Sequence, residues 1–256
     1  MSTSASFNPS GGGVIVGLGM TEMTREYTYS ATGLAAIAIR EALADAGLEK
    51  DDVDGLLINQ GVAAGLRPDL QKVMGMTNLR LQTLMNGQGS TAGQMVQYAS
   101  LAIQGGLVDT VVCVFADDPL RGGGAGAAYG GAGRVTTGMA SLNNYYGHFG
   151  ANTGYALAAR RHMATYGTTH DQFGAVAVAT RKWAQLNPIA MQRGDMTLED
   201  YHNSRWIVEP FHLLDCTLVT NGAIAVVVTS RERAAELKHA PVYVTGMGQG
   251  HPGNLR

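Results

Sequence analysis

LRLQTLMNGQGSTAGQMVQYASLAIQGG, residues Leu79–Gly106, decides the fold. Leu79–Met85 reads as a buried strand, and Ala92, Met95, Val96, Ala99, Ala102 and Ile103 recur at helical spacing on one face. Strand becomes helix within a few residues. The pattern predicts Gly87 and Gly89 in the turn with positive φ, Thr91 and Gln94 as a T-x-x-Q capping box at the helix start, and Gly105 with Gly106 at its end. Such a corner sets its turn residues beside unpaired backbone N–H groups at the positive end of a helix dipole, an arrangement that holds nucleophiles or oxyanions. Ser90 is the one hydroxyl beside Gly89; it reads as an N-cap, the alternative being a catalytic serine, for which the sequence supplies no base.

Outward from the corner, strands alternate with helices. Val14–Leu18 is a strand, Ser30–Ala46 a helix with Leu34, Ile37, Ala38, Glu41 and Ala42 spaced for one face and Gly47 at its end, and Val53–Asn59 a second strand. Val108–Ala116, almost wholly apolar, is a strand covered on both faces. Gly150–Gly167 and Thr169–Asn187 are helices, Leu198–Pro210 is irregular, Gly222–Thr229 is a buried strand, Arg231–His239 a short amphipathic helix, and Val242–Thr245 starts another strand. The alternation predicts a layered α/β fold. Gly17-x-Gly19 lacks the third glycine and the distant acid of a dinucleotide fingerprint.

These stretches carry a resemblance. Asn86-x-x-Gly89, with Val96, Ile103 and Gly106 in step, resembles the nucleophile corner of the thiolase superfamily, in which the position of Gly89 is the acylated cysteine. GVIVGLGMTEMTRE, AAIAIREALADAGLEKDDVDGLL, GYALAARRHMATYGTTHDQFGAVAVATRKWAQLNP and EPFHLLDCTLVTNGAIAVVVTSRERA are similar to the sterol carrier protein x and lipid-transfer-protein branch of that superfamily. Together they span most of residues 13–246. The resemblance implies a thiolase-like layered αβαβα fold. In that reading residues 1–13 are a disordered lead and not a signal peptide, 14–116 the N-terminal half, 117–210 a loop or cover region over the acyl-CoA tunnel, 211–240 the return to the N-terminal half, and 241–256 the start of a C-terminal half that is mostly absent.

It also implies chemistry on CoA thioesters, with no bound cofactor. Glycine at 89 removes the thiolate that acyl transfer needs. A retro-aldol carbon–carbon cleavage needs no such thiolate: it asks for a base on the β-hydroxyl and a polarised thioester carbonyl, for which the amides of Gly89 and Ser90 are candidate donors and Asn86 and His148 are candidate neighbours. Arg121 and Arg134, in the glycine-rich 117–141 stretch, are candidates for a CoA phosphate. Thr217, just before Asn221-Gly222, sits where the family presents a hydroxyl to the pantetheine arm; the alternative is a threonine bonding its own loop. Tyr146 is a further substrate candidate, although Tyr145 and Tyr146 also read as aromatic packing. The catalytic tyrosines of the resembled aldolases belong to the absent half and map to no residue here. Gly250-His251-Pro252 matches the family's catalytic GHP but falls too early in the chain, and reads as coincidence.

Composition narrows the alternatives. Of 256 residues 35 are glycine, 45% are hydrophobic and only 15% are charged. Few charges and many small residues suit tightly packed elements with surface buried against other subunits, low-complexity disorder being the competing reading. A net charge of -2 gives no reason to expect nucleic acid or an anionic membrane as partner, and no run spans a bilayer. Cys113 and Cys216 lie in apolar runs without zinc spacing and read as buried thiols of a reducing cytoplasm. His162, His170 and His202 fall on expected solvent faces. The expected partners are a second copy, paired through the strand before the corner, and an OB-fold and zinc-ribbon protein of the kind the resembled aldolases use. Beside the lyase stand a catalytically silent acyl-CoA- or lipid-binding subunit and a conventional acetyl-CoA acyltransferase.

Overall fold

A computed structural model describes residues 12–122, 137–138, 140–147 and 151–250. The chain divides into two compact units, one of Met1–Glu22, Glu26–Arg121 and Asn221–Arg256, the other of Met23–Arg25 and Gly122–Thr220.

The first unit carries β1 (Val14–Met20), α1 (Ala31–Ala46), β2 (Gly55–Asn59), α2 (Leu70–Met74), β3 (Leu81–Leu84), α3 (Thr91–Gln104) and β4 (Thr110–Asp117), and later β7 (Gly222–Thr229), α8 (Arg231–Ala234) and β8 (Val242–Tyr243). Its mixed sheet has the order β3-β2-β4-β7-β1-β8. β2 runs parallel to β3 and β4, while β7 is antiparallel to both β4 and β1. Side chains alternate across it: Val112, Val114, Ala116, Ala223, Ala225 and Val227 pack with α1, and Val111, Cys113 and Val228 pack on the α3 side.

Helix α1 forms as its sequence implies. Ser30 caps it through an Oγ that accepts from Gly33 N at 3.3 Å, and Gly47 ends it at φ 74°. Leu34, Ala38 and Ala42 are buried, but Glu41 is exposed. Its carboxylate accepts from Met20 N at 3.2 Å, and Asp45 accepts from Leu18 N at 3.0 Å, so two acids satisfy β1 amides beyond the short pairing with β8. Gly17 and Gly19 are needed for closeness: β-carbons there would run into the backbone of Ala42 and Ala38.

β8 is shorter than expected, and it pairs antiparallel with Val14 and Ile15 as the last strand of this same sheet. α8 stops at Ala234, well before His239. The five-residue helix α2 has no counterpart in the sequence reading.

The second unit contains α4 (Ala140–Tyr145), α5 (Ala151–Tyr166), α6 (His170–Leu186), α7 (Leu198–Asn203), β5 (Trp206–Val208) and β6 (Phe211–His212). The stretch expected to be irregular, 198–210, holds a helix and a strand. A capping box starts the helix: Thr197 Oγ1 accepts from Asp200 N at 3.1 Å, and Asp200 Oδ2 accepts from the Thr197 hydroxyl at 2.7 Å and from Thr197 N at 2.8 Å, which together hold the Asp200 carboxyl below its usual range. β5 then pairs antiparallel with β6. Tyr201 is fully buried and its hydroxyl donates to Asp215 Oδ2 at 2.9 Å. His170 is not a solvent-face residue: its ring packs edge-on against Trp206 at 5.4 Å and its Nε2 is buried.

Candidate functional site

The corner between β3 and α3 is built by side-chain hydrogen bonds. Gln88 N donates to Asn86 Oδ1 at 3.1 Å, and Gly87 N donates to Thr91 Oγ1 at 2.8 Å, whose own proton goes to Gln88 O at 2.7 Å. Thr91 and Gln94 therefore do not form the expected capping box. Nor do the glycines carry the strain: Gly87 has φ −105°, Gly89 lies outside the left-handed region, and Gln88 takes φ 52°. A non-glycine residue held there costs on the order of 1–3 kcal/mol and persists only where its surroundings over-determine it. The other end of α3 is as read, with Gly106 at φ 70° and Leu107 N donating back to Ala102 O at 2.9 Å.

Gly89 is exposed, and a β-carbon there would meet nothing within 4 Å. Neither space nor backbone demands glycine at 89. Ser90 occupies the N-cap position before α3 but makes no side-chain cap bond, contrary to the expected capping role. Its Oγ donates to Gly87 O at 2.7 Å and accepts from Gln94 Nε2 at 2.9 Å. With its proton on a carbonyl, a lone pair on an amide and no titratable neighbour in the network, this hydroxyl is not set up as a nucleophile. The Ser90 amide, one of the two expected oxyanion donors, is engaged by Gly87 O at 3.2 Å.

Behind the corner lies a cavity of about 890 Å³, walled by Gly89, Ser90, Gly93 and Gln94, by Cys113, Phe115 and Val226 of the sheet, and by the segment from Val244 to Gly250. Its lining is mainly apolar. Burial pushes the Cys113 thiol up to about 12, so this cysteine is inert near neutral pH.

Asn86, Gly89 and Ser90 are thus brought together. Arg121 is exposed, with Nη1 3.9 Å from Asp118 Oδ2. Thr217 is exposed and makes no hydrogen bond to a described residue, which removes the expectation that it bonds its own loop. Tyr145 and Tyr146, at 83% and 80% exposure, are not packed in a core; they meet each other edge-on at 5.4 Å. His148, Arg134 and the His251-Pro252 pair lie outside the described residues. Cys216 is half-buried; burial and the nearby Asp215 carboxylate raise its thiol pKa. No group of three potential ligands among the described residues could hold a metal ion, and no described helix is long and apolar enough to cross a membrane. Sequence reasoning missed the roles of Gln88 and Gln94. Gln94 was visible as a T-x-x-Q position, but its partner is Ser90 Oγ.

No family model matches the chain. It is 38% identical over 244 residues to a steroid side-chain-cleaving aldolase of Thermomonospora curvata, covering 94% of this chain and 62% of that protein. It is 38% identical over 253 residues to 17-hydroxy-3-oxo-4-pregnene-20-carboxyl-CoA lyase of Mycobacterium tuberculosis, covering 94% of this chain and 63% of that protein. The solved structure of an Ltp2-ChsH2(DUF35) aldolase superposes with a TM-score of 0.79 at 36% identity, covering 90% of this chain and 59% of that one. The chain spans about three fifths of the length of the curated relatives it matches.

Proposed function

The chain belongs to the thiolase superfamily, in its sterol-carrier-protein-2-like and Ltp2-like branch, and from that premise we propose that it serves a carbon–carbon lyase acting on CoA thioesters of steroid type. The observation that carries the reading is the corner itself: it keeps a helix N-terminus and close backbone amides, but has no side chain at Gly89 and a fully engaged hydroxyl at Ser90. This suits a reaction that passes through an enolate and no acyl-enzyme.

In the proposed reaction a base removes the proton of the hydroxyl β to the thioester. The bond between the carbinol carbon and the α-carbon breaks, its electron pair moves onto the thioester oxygen, and the α-carbon is then protonated. A ketone and a shortened acyl-CoA leave. The corner's part is electrostatic, with the Gly89 amide as donor, the Ser90 amide being engaged by Gly87 O, and the dipole of α3 facing the oxygen that gains charge; a preorganised donor of this kind is worth about 3 kcal/mol of barrier. None of Asn86, Gln88, Ser90, Thr91 and Gln94 titrates near neutrality, so the base comes from outside this network. Thr217, Arg121 and Tyr146, with Arg134 and His148, are the proposed contacts to CoA and substrate. A DUF35-type partner is proposed by analogy with the aldolase complex, and a second copy is proposed to pair along β3, an edge strand of the sheet.

A second reading, a silent acyl-CoA-binding subunit, is favoured by the lack of a titrating side chain in the corner. One experiment separates the two. The protein, alone and with a DUF35-type partner, is incubated with a 17-hydroxy steroid 20-carboxyl-CoA thioester, and the products are resolved by chromatography and mass spectrometry. Ketone and shortened acyl-CoA in equal amounts support the lyase; saturable binding without either product supports the silent subunit.

A further inference from the structure

We infer that Gln94 is a positioning residue of the corner, a clamp that holds the 87–90 peptides in the orientation the thioester oxygen requires; its catalytic consequence rests on the lyase reading above. The geometry is a closed loop of contacts. Gln94 Nε2 donates to Ser90 Oγ at 2.9 Å, Ser90 Oγ donates to Gly87 O at 2.7 Å, and the Gln94 carboxamide lies against Gly87 where a β-carbon would stand. Gly87 itself has φ −105° and ψ 26°, which an L-residue can adopt. A β-carbon at 87 would therefore push the end of the Gln94 side chain aside, whereas at 89 nothing crowds a side chain.

The clamp has work to do because Gln88, one residue on, is held at φ 52°. Asn86 and Thr91 fix the peptides on the strand side of that residue, and the Gln94–Ser90 pair fixes Gly87 O from the helix side. Direction matters as well as contact. Gln94 gives Ser90 a proton and leaves the serine proton for Gly87 O. A glutamate of the same shape would take the serine proton, strip Gly87 O of that bond and set a negative charge beside the growing enolate. Gln94 also walls the cavity beside Gly89 and Ser90, which places it at the border between polar corner and apolar pocket.

The test compares Gln94→Met, Gln94→Ala, Gln94→Glu, Gly87→Ala and the Gly87→Ala/Gln94→Ala double variant in the whole protein, by steady-state turnover of the CoA thioester and by hydrogen exchange of the 87–90 amides. Gln94→Met lowers kcat about tenfold to a hundredfold with KM within about threefold, and Gln94→Glu lowers kcat further. Gly87→Ala alone costs as much as losing Gln94, but adds less than about threefold in the Gln94→Ala background, because the crowding atoms are gone. Amides 87–90 exchange at least about tenfold faster in Gln94→Met than in wild type, with protection in β4 and β7 unchanged. Wild-type kcat in Gln94→Met, or independent multiplication of the two single losses in the double variant, overturns the clamp. A wild-type protein that never turns the thioester over refutes the lyase reading instead, and unchanged exchange in Gln94→Met then refutes the clamp separately.

Discussion

Position 89 is the place where this chain parts from an acyl-transferring corner, and the structure makes a two-sided prediction about filling it. Gly89→Ala puts a methyl group into open space, since its β-carbon meets nothing within 4 Å and the backbone lies outside the left-handed region. No contact is lost and no strain is added, so the change acts through the unfolded chain, which loses freedom. That effect is worth about 0.4–1 kcal/mol of added stability. For a chain of this length it raises the thermal midpoint by about 1–4 °C. Gly89→Cys restores the thiol without the means to use it, because the corner's network offers no titrating group to ionise it. The new thiol reacts with iodoacetamide at the rate of an exposed ordinary cysteine, and no CoA-dependent thiolysis of acetoacetyl-CoA appears. Calorimetry, alkylation followed by intact mass, and a thiolysis assay read the three outcomes. A Gly89→Ala loss above about 1 kcal/mol would show that position 89 does demand glycine, and thiolysis by Gly89→Cys would refute the claim that the corner lacks an activating partner.

Other expectations follow from the same geometry. Gly19→Ala drives a β-carbon into the backbone of α1 and costs about 1–3 kcal/mol or more, measured by denaturant unfolding; a change under about 0.5 kcal/mol would deny the close approach. Cys113, with its thiol raised to about 12, resists thiol reagents at neutral pH. Because the unfolded thiol ionises at its ordinary value of 9.0 while the folded one stays protonated, the unfolded state binds fewer protons above pH 9 and Cys113 makes stability fall there by up to about 1.4 kcal/mol per pH unit. Cys113→Val lacks that component, so the wild type loses stability relative to Cys113→Val between pH 9 and 11, and parallel curves would argue against a buried thiol. Thr217→Val weakens CoA-thioester binding about threefold to tenfold with the fold intact, the value of one neutral hydrogen bond; unchanged affinity by titration calorimetry removes Thr217 from the site.

How much of this is legible in the sequence depends on how local its cause is. β7 and α1 are readable nearly to the residue, because an unbroken apolar run and a serine-to-glycine bracket are signals within one element. Glu41 is misread since its distance from the core is decided by the β1 amide of Met20, a partner 21 residues away. The corner is legible as a corner, yet which residue takes positive φ is not. Glycine is the default on intrinsic grounds, whereas here Asn86 and Thr91 hold Gln88 in that region and Gln94 claims the space at Gly87. The same cause hides the state of Ser90, whose hydroxyl reads as an N-cap in the sequence and is bonded to Gly87 O and Gln94 Nε2 in the fold. Residues 198–210 show the reverse failure: the Thr197–Asp200 box was written plainly, but proline and scattered polar residues masked it.

The central claim is carbon–carbon cleavage through an enolate at a corner without a nucleophile, and turnover in deuterium oxide tests it most directly. The protein, supplied with the proposed DUF35-type partner, is given the β-hydroxy CoA thioester, and the acyl-CoA product and the protein are weighed by mass spectrometry. The account predicts one solvent deuteron on the α-carbon of the shortened acyl-CoA, no consumption of free CoA and no acyl adduct on the protein during turnover. Product formation that depends on added CoA and passes through a protein-bound acyl group would contradict it.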